Sequence, residues 1–494
     1  MTVLRYNGVK LKYDQKGLAL LIFVIVISMA SILIFFRSMS VAELKSGRIE
    51  ATGKTLKNAK QALLAYAVTF NDIHPGLFGF LPCPDIDAGY GEGNSNLNCG
   101  SRDVNTIGRF PWASNEIEAG PLRSETGDCL WYAVSGSYKN VGGPVTEMLN
   151  EDTNGQFRVF NSDGINMIGG QPEERIVAVI IDPAQPVSSQ SRSVDVTSHC
   201  GKDYVVADFL DGNGIINNAV LSGIADGYDD FIRGGTESEQ HTPPFNDRIE
   251  VITREELWNA VTRRKDFVDN ADSKMRNLTE ALAICIAEYG NNSTNRRLPR
   301  PSVVDFSSGD YREDTNYDDT TAVSYLGRYP HTVDSSDTVM GVTAPVPGTT
   351  TLFNKGFCNS ITLLNGTPVN LDTSSGSEYY KLWKNWKDHF FYAVSAYYAP
   401  TSSGIGTAPN CTGSNCISVG GARYAAAVIF ANSRTGAQIR NAPIAGATDT
   451  KNTIANYLEV VNPAGSGSGD YTPTGNDIVY CIQDTDPLTV MSCP

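Results

Sequence analysis

This 494-residue chain lacks the spacings that bind zinc: it has no Cys-x-x-Cys pair and no His-Glu-x-x-His. Histidine is scarce. His74, His199, His241, His331 and His389 are scattered, and none falls at another metal spacing. There is no Gly-x-Ser-x-Gly elbow and no phosphate-cradling glycine loop. These absences remove the sequence support for zinc, hydrolase and nucleotide chemistry. No catalytic residue stands out and no cofactor is expected. Ser135 and Ser395 sit in two Ala-Val-Ser strings without a fixed histidine, so they read as structural. Positive charge is short as well, with 39 Lys and Arg against 54 Asp and Glu and a net charge of −15. Phosphate backbones need a basic footprint, which excludes nucleic acid as a general partner.

What is present is enough for real cores: 41% apolar residues, 22 Tyr, 19 Phe and 5 Trp. The length suits two or three domains. All 10 cysteines follow residue 36. Outside the cytoplasm an even count reads as up to five disulfides. The nearest-neighbour pairs are Cys83 with Cys99, Cys411 with Cys416, and Cys481 with Cys493. Cys129, Cys200, Cys285 and Cys358 stay unassigned.

The longest apolar run covers residues 18–36, where fourteen of nineteen residues are Leu, Ile, Val or Phe and none is charged. As a helix rising about 1.5 Å per residue, it matches a hydrocarbon core of roughly 30 Å. Arg5, Lys10, Lys12 and Lys16 precede it against Asp14 alone. The positive-inside rule then predicts a single-pass inner-membrane protein with its C-terminal bulk in the periplasm. A secretory signal is one rival, but Arg37-Ser38-Met39-Ser40 is a poor cleavage site. A plain signal anchor is the other.

A basic leader ending in Lys16-Gly17 before such a run resembles a type IV prepilin or type II secretion pseudopilin. The resemblance covers about 55 residues. It implies a leader at residues 1–17, cut by a prepilin peptidase on the cytoplasmic face between Gly17 and Leu18, with N-methylation of Leu18. It also implies other pilins or pseudopilins as partners through the N-terminal helix, and a possible place at the cell surface in a fibre. Most members carry Glu at the fifth mature position, where this chain has Ile22. A carboxylate in lipid needs a partner, and in the family it meets the amine of a neighbouring subunit. The family's exception is the large minor pseudopilin at the tip.

Helix formers without proline continue the helix through residues 41–70. Val41, Leu44, Ile49, Leu56, Ala59, Leu63, Ala67 and Phe70 give it an apolar side. Short strand-like runs follow, clearest at residues 175–182 and 248–253. The most informative feature is internal repetition. Residues 62–66 answer to 281–285, Leu81-Pro82-Cys83-Pro84 to Leu298-Pro299-Arg300-Pro301, and Gly108-Arg109-Phe110-Pro111 to Gly327-Arg328-Tyr329-Pro330. Residues 131–135 answer to 391–395, 175–181 to 423–429, 207–210 to 455–458, and Asn246-Asp247 to Asn476-Asp477. Seven matches in one order imply two copies of a helix-plus-sheet unit.

The predicted architecture is α+β. A long N-terminal transmembrane and amphipathic helix carries two tandem pilin-like heads of helix plus antiparallel sheet. The span covers 18–36, the first head 37–255 and the second 256–494. Asp211 and Asn213, with Asp226, Asp229 and Asp230 nearby, form a calcium candidate, against the plainer reading of a solvated acidic turn. Tyr379, Leu382, Trp383, Trp386 and Phe390 have helical spacing and read as core. The expected function is a non-enzymatic minor pilin or pseudopilin subunit of a type IV pilus or type II secretion fibre, at the tip or initiating position. A pilus-tip adhesin binding a surface or glycan is one alternative, and a signal-anchored periplasmic enzyme is another.

Overall fold

A computed structural model describes residues 16–494 except 115, 118, 142–147, 188–189, 193–196, 222–226, 236–240, 270–272, 294–295, 307–309, 320–324, 334–349, 355, 374–375, 400–409, 412–415, 443–447, 460–469 and 472–475. In the first helix, side chains are described for residues 20–34, 47 and 49–73. The chain forms two compact units, Met1–Thr55 and Leu56–Pro494.

Helix α1 runs Lys16–Ile73. Its residues 20–34 carry only uncharged side chains, and the large apolar ones are 49 to 70% exposed. Past Thr55 the helix is amphipathic in practice. Leu56, Ala59, Leu63, Ala67 and Phe70 are buried, while Lys57 faces water. Upstream, Ile49 on the same expected apolar side is exposed.

The expected membrane span is corrected here. Among the described residues no helix is long and apolar enough to cross a membrane. The structure therefore conflicts with single-pass insertion in an inner membrane, and the localisation expected from the sequence falls with it.

The second unit is built around two large sheets, among several smaller ones. The first contains β1 (Thr106–Arg109), β2 (Trp131–Val134), β3 (Phe157–Phe160), β4 (Met167–Ile168), β5 (Ile176–Asp182), β6 (Asp229–Ile232) and β7 (Arg248–Thr253). Its order is β1-β2-β5-β3-β4, with β6 on β3 and β7 on β5. Between the sheets come α2 (Arg254–Thr262) and α3 (Lys274–Asn292). The second sheet contains β8 (Leu326–Arg328), β9 (Phe390–Val394), β10 (Ala426–Phe430), β11 (Ile478–Gln483) and β12 (Thr489–Ser492), in that order. Helix α4 (Glu378–Trp386) leads into β9.

The copies share register as well as order. Gly108 lies opposite Tyr132, and Gly327 opposite Tyr392. Ile181 pairs with both Trp131 and Ile249, as Ile429 pairs with both Phe391 and Val479. A Cβ at Gly108 or Gly327 would run into the carbonyl of Asp85 or Ser302, where a second chain segment bridges the strand. That close approach is why Gly-Arg recurs.

Both sheets are covered on both faces, so their central strands are apolar on both sides. Tyr132 and Val134 join one core with α1 and α3, while Trp131 and Ala133 face a separate core with Phe209. Phe390, Tyr392 and Val394 join the shared core, and Phe391 and Ala393 face a third with Tyr457. The shared core runs without a break through both copies, by way of Trp258, Phe267 and Trp386. Trp258 and Trp386 meet edge to face at 5.5 Å.

The expected fold class needs correction on these points. The chain is mixed α/β and mostly sheet. β3 pairs with β6 in parallel, and parallel pairs also occur at Leu81–Pro82 with Lys139–Asn140 and at Ile417–Val419 with Asp470–Tyr471, so the sheets are not purely antiparallel. Both copies lie within the one compact unit Leu56–Pro494 and share a core. Copies that each leave an apolar face open gain stability by burying those faces together.

Candidate functional site

The copies are also joined by charge. Residues 149–154 of the first copy reach the turn before β9. The Leu149 amide donates to Asn385 Oδ1 at 2.8 Å, and Asn150 Nδ2 donates to Asp388 Oδ1 and to the Asn385 carbonyl, both at 2.8 Å. Glu151 pairs with Arg440 at 3.1 Å. Asp152 Oδ2 lies 2.8 Å from His389 Nε2 and 3.6 Å from Lys451 Nζ. The first of these contacts has ion-pair length but is not aligned as a hydrogen bond. Lys451 also pairs with Asp388, and Tyr457 Oη donates to Asp388 Oδ2 at 3.2 Å. On its other side His389 Nδ1 faces the Ala431 carbonyl at 2.8 Å, so that nitrogen donates.

Asp152, Asp388 and His389 are fully buried. Burial pushes both carboxyls up, but the surrounding cations outweigh it. His389, Lys451 and Arg440 hold Asp152 well below the usual carboxylate range, and Lys451 and His389 hold Asp388 below it too. Glu151, Asp152 and His389 bring three ligand-type atoms together. They do not fit a divalent ion, because Lys451 and Arg440 already stand against the same carboxylates. A second pair of positive charges there would be repelled at short range in a low dielectric. The cluster is an ion network tying the copies together.

Its cation Arg440 has a counterpart. Arg192 donates to the carbonyls of Asp208 and Phe209 and to Gln190 Oε1. Arg440 donates to the carbonyls of Asn456 and Tyr457 and to Gln438 Oε1. The Gln-x-Arg string is thus an eighth repeat element, legible in the sequence but too short to notice unaided. Arg109 and Arg328 match likewise: each donates through Nε or Nη to a main-chain carbonyl, Asp203 and Lys451 respectively. Each also lies over paired aromatic rings, Trp131 with Phe209 and Phe391 with Tyr457.

The carboxyls at the ends of the repeat form matched pairs. Asp211 faces Asp247 in the first copy, and Glu459 faces Asp477 in the second. Burial, then Asp211, pushes Asp247 well up, and burial, then Glu459, pushes Asp477 up to about 8. The Asp211 carboxylate accepts the Asn246 amide at 3.2 Å, and Asn213 Oδ1 accepts the amides of Ile215 and Ile216. Asp229 bonds Asn105 and Asp230 pairs with Arg158, while Asp226 lies outside the described residues. Among the described residues, Asp211, Asn213, Asp229 and Asp230 thus have different local partners.

Other sequence candidates resolve into structure. Ser135 Oγ donates to Gln156 Oε1 at 3.1 Å, and Ser395 Oγ donates to the Tyr424 carbonyl at 2.7 Å. Tyr379, Leu382, Trp383, Trp386 and Phe390 are all core. The disulfides are Cys83–Cys99, Cys129–Cys200, Cys285–Cys358, Cys411–Cys416 and Cys481–Cys493, with no free cysteine. No bridge recurs between the copies. His389 stands where the first copy has Cys129, and Thr448 where it has Cys200. Gly17 and Leu18 fall in the first turn of α1 with side chains outside the described residues, and Ile22 is exposed.

No family model, no curated protein and no solved structure matches this chain.

Proposed function

We propose that the chain is a non-enzymatic minor subunit of a type IV pilus or type II secretion fibre, seated at the tip or initiating position. The observation that carries this reading is the apolar stretch of α1. Every large apolar side chain described in residues 20–34 is exposed, all around the helix. A helix apolar on every side is stable only when covered. Each Leu, Ile or Phe covered is worth about 1.5–3 kcal/mol. Like helices of neighbouring subunits provide such cover by packing ridge into groove.

In this reading a prepilin peptidase cuts after Gly17 and Leu18 is methylated. Ile22 leaves the subunit without the carboxylate that its neighbours use, so it takes an end position. The duplicated, disulfide-bonded unit is bulky to repeat along a shaft, and its bridges need an oxidising compartment.

N-terminal sequencing of the protein from producing cells tests the reading. The expected start is Leu18, and Gly17→Ala retains the leader and blocks co-purification with other fibre subunits. A protein that starts at Met1 and never co-purifies with such subunits overturns it.

A further inference from the structure

The two copies differ at one sheet edge. In the second copy β12 pairs with β11 along Tyr480, Cys481, Ile482 and Gln483. The Cys493 amide donates to the Val479 carbonyl at 3.2 Å, and Cys481–Cys493 pins the strand in place. The hairpin leading into β12 is tied to α3, with the Leu488 amide donating to Asn291 Oδ1 at 2.8 Å. In the first copy β7 takes the place of β11. It pairs with β5 on one side, and among the described residues no strand pairs with its other side. The chain turns at Thr253 directly into α2, whose first turn that residue caps. Among the described residues no segment folds back on it as β12 does on β11.

A groove at the end of β7 is lined by Leu64 of α1, by Thr253, and by Glu256, Asn259 and Arg263 of α2. Lys60 bridges Glu250 of β7 and Glu256 of α2, at 3.0 and 2.8 Å, on the α1 side.

We propose that the outer edge of β7 accepts an extended segment of a partner polypeptide, which adds as an antiparallel strand where the second copy carries β12. The repeat sets its register. The incoming residues lie opposite Glu250, Val251, Ile252 and Thr253, the counterparts of the four residues β12 covers. The Val479 contact shows which main-chain groups face outward: Val479, and two residues on, Cys481. Their counterparts are Ile249 and Val251. The residue opposite Ile252 is apolar, as Val490 is opposite Ile482, because both face the helix side of their sheet. The residue opposite Glu250 is polar or basic, because it shares a face with that carboxylate. Main-chain bonds supply the affinity in such additions and the alternate side chains supply the selection. The partner comes from a different protein, since the corresponding strand of a second copy is held by its own disulfide.

The test uses the full chain and a synthetic peptide with the sequence of residues 486–492. In the free protein the Val251 amide exchanges with solvent much faster than the Cys481 amide. Saturating peptide slows it at least about tenfold. Val251→Pro removes the outward amide without touching the bonds to β5. It weakens peptide binding about tenfold, the worth of one good main-chain bond. A Val251 amide as protected as Cys481 in the free chain overturns the proposal, and so does a peptide that fails to bind. Should the proline variant not fold, exchange at Val251 decides.

Discussion

Arg440 of the second copy holds Glu151 of the first at 3.1 Å, whereas its counterpart Arg192 holds Asp128 of its own copy at 2.6 Å. One repeated residue has kept its local main-chain partners and exchanged an internal ion pair for one between the copies. The link that joins the copies is therefore built from a piece each already had.

Asp152 is the anion that His389 and Lys451 share, so its loss leaves buried positive charge uncompensated. Asp152→Ala is expected to destabilise the Leu56–Pro494 unit by about 3–5 kcal/mol. Urea unfolding of the full chain measures it. The charged group removed is buried in a contact between copies, so both sheets lose their resistance to urea together.

Tyr132 and Tyr392 are expected to report the duplication energetically. Tyr132 Oη donates to the Pro82 carbonyl at 3.1 Å and Tyr392 Oη to the Pro299 carbonyl at 3.2 Å. Both hydroxyls are buried. Tyr132→Phe and Tyr392→Phe should each lower stability by about 0.5–1.5 kcal/mol, with similar values for the two. Paired unfolding curves compare them.

Asp477 sets a dependence on pH. Its folded value is raised to about 8 by burial and by Glu459, against an ordinary value of 3.8. A raised value means that the folded state binds the extra proton. The contribution is fully present below about pH 4 and is lost as pH rises through about 8. Asp477→Asn cannot ionise, so its stability should stay flatter between about pH 5 and 9 than that of the unaltered chain. Midpoints of urea unfolding across that range check the sign.

Asp152 and Asp388 work in the opposite direction. Both are held low in the folded state by Lys451 and His389, so their contribution is present above about pH 4 and is lost as pH falls below that. Acid unfolding followed by near-ultraviolet circular dichroism should begin at a higher pH in Lys451→Met.

The Cys285–Cys358 bridge ties α3 to a loop 73 residues on, inside the core. Replacing both cysteines with Ala is expected to cost about 2–5 kcal/mol. Replacing Cys411 and Cys416, only 5 residues apart, is expected to cost less because the loop they close is short. Thermal melts of the two double variants rank them.

Much of the architecture is readable along the chain. Gly108-Arg109 and Gly327-Arg328 mark equivalent strands because each glycine admits a crossing main chain and each arginine is spent on carbonyls nearby in the fold. The unbroken apolar runs at residues 131–134 and 390–394 mark strands buried on both faces. The apolar stretch of α1 is equally visible, but among the described residues no helix is long and apolar enough to cross a membrane. Closeness in sequence says little about the acidic residues near Asp211: Asp211 lies against Asp247, whereas Asp229 and Asp230 are on β6 and bond Asn105 and Arg158.

Composition and order alone determined the duplication, the even set of cysteines and the uncharged apolar run, since each is a pattern of neighbouring or regularly spaced residues. The tertiary structure alone decided that the copies share one core, that Cys129 meets Cys200 and Cys285 meets Cys358, and that His389 meets Asp152. Those contacts join residues 71 to 237 positions apart (389 − 152 = 237). At such distances local periodicity carries no information, and the pairing is set by how two buried faces close on each other.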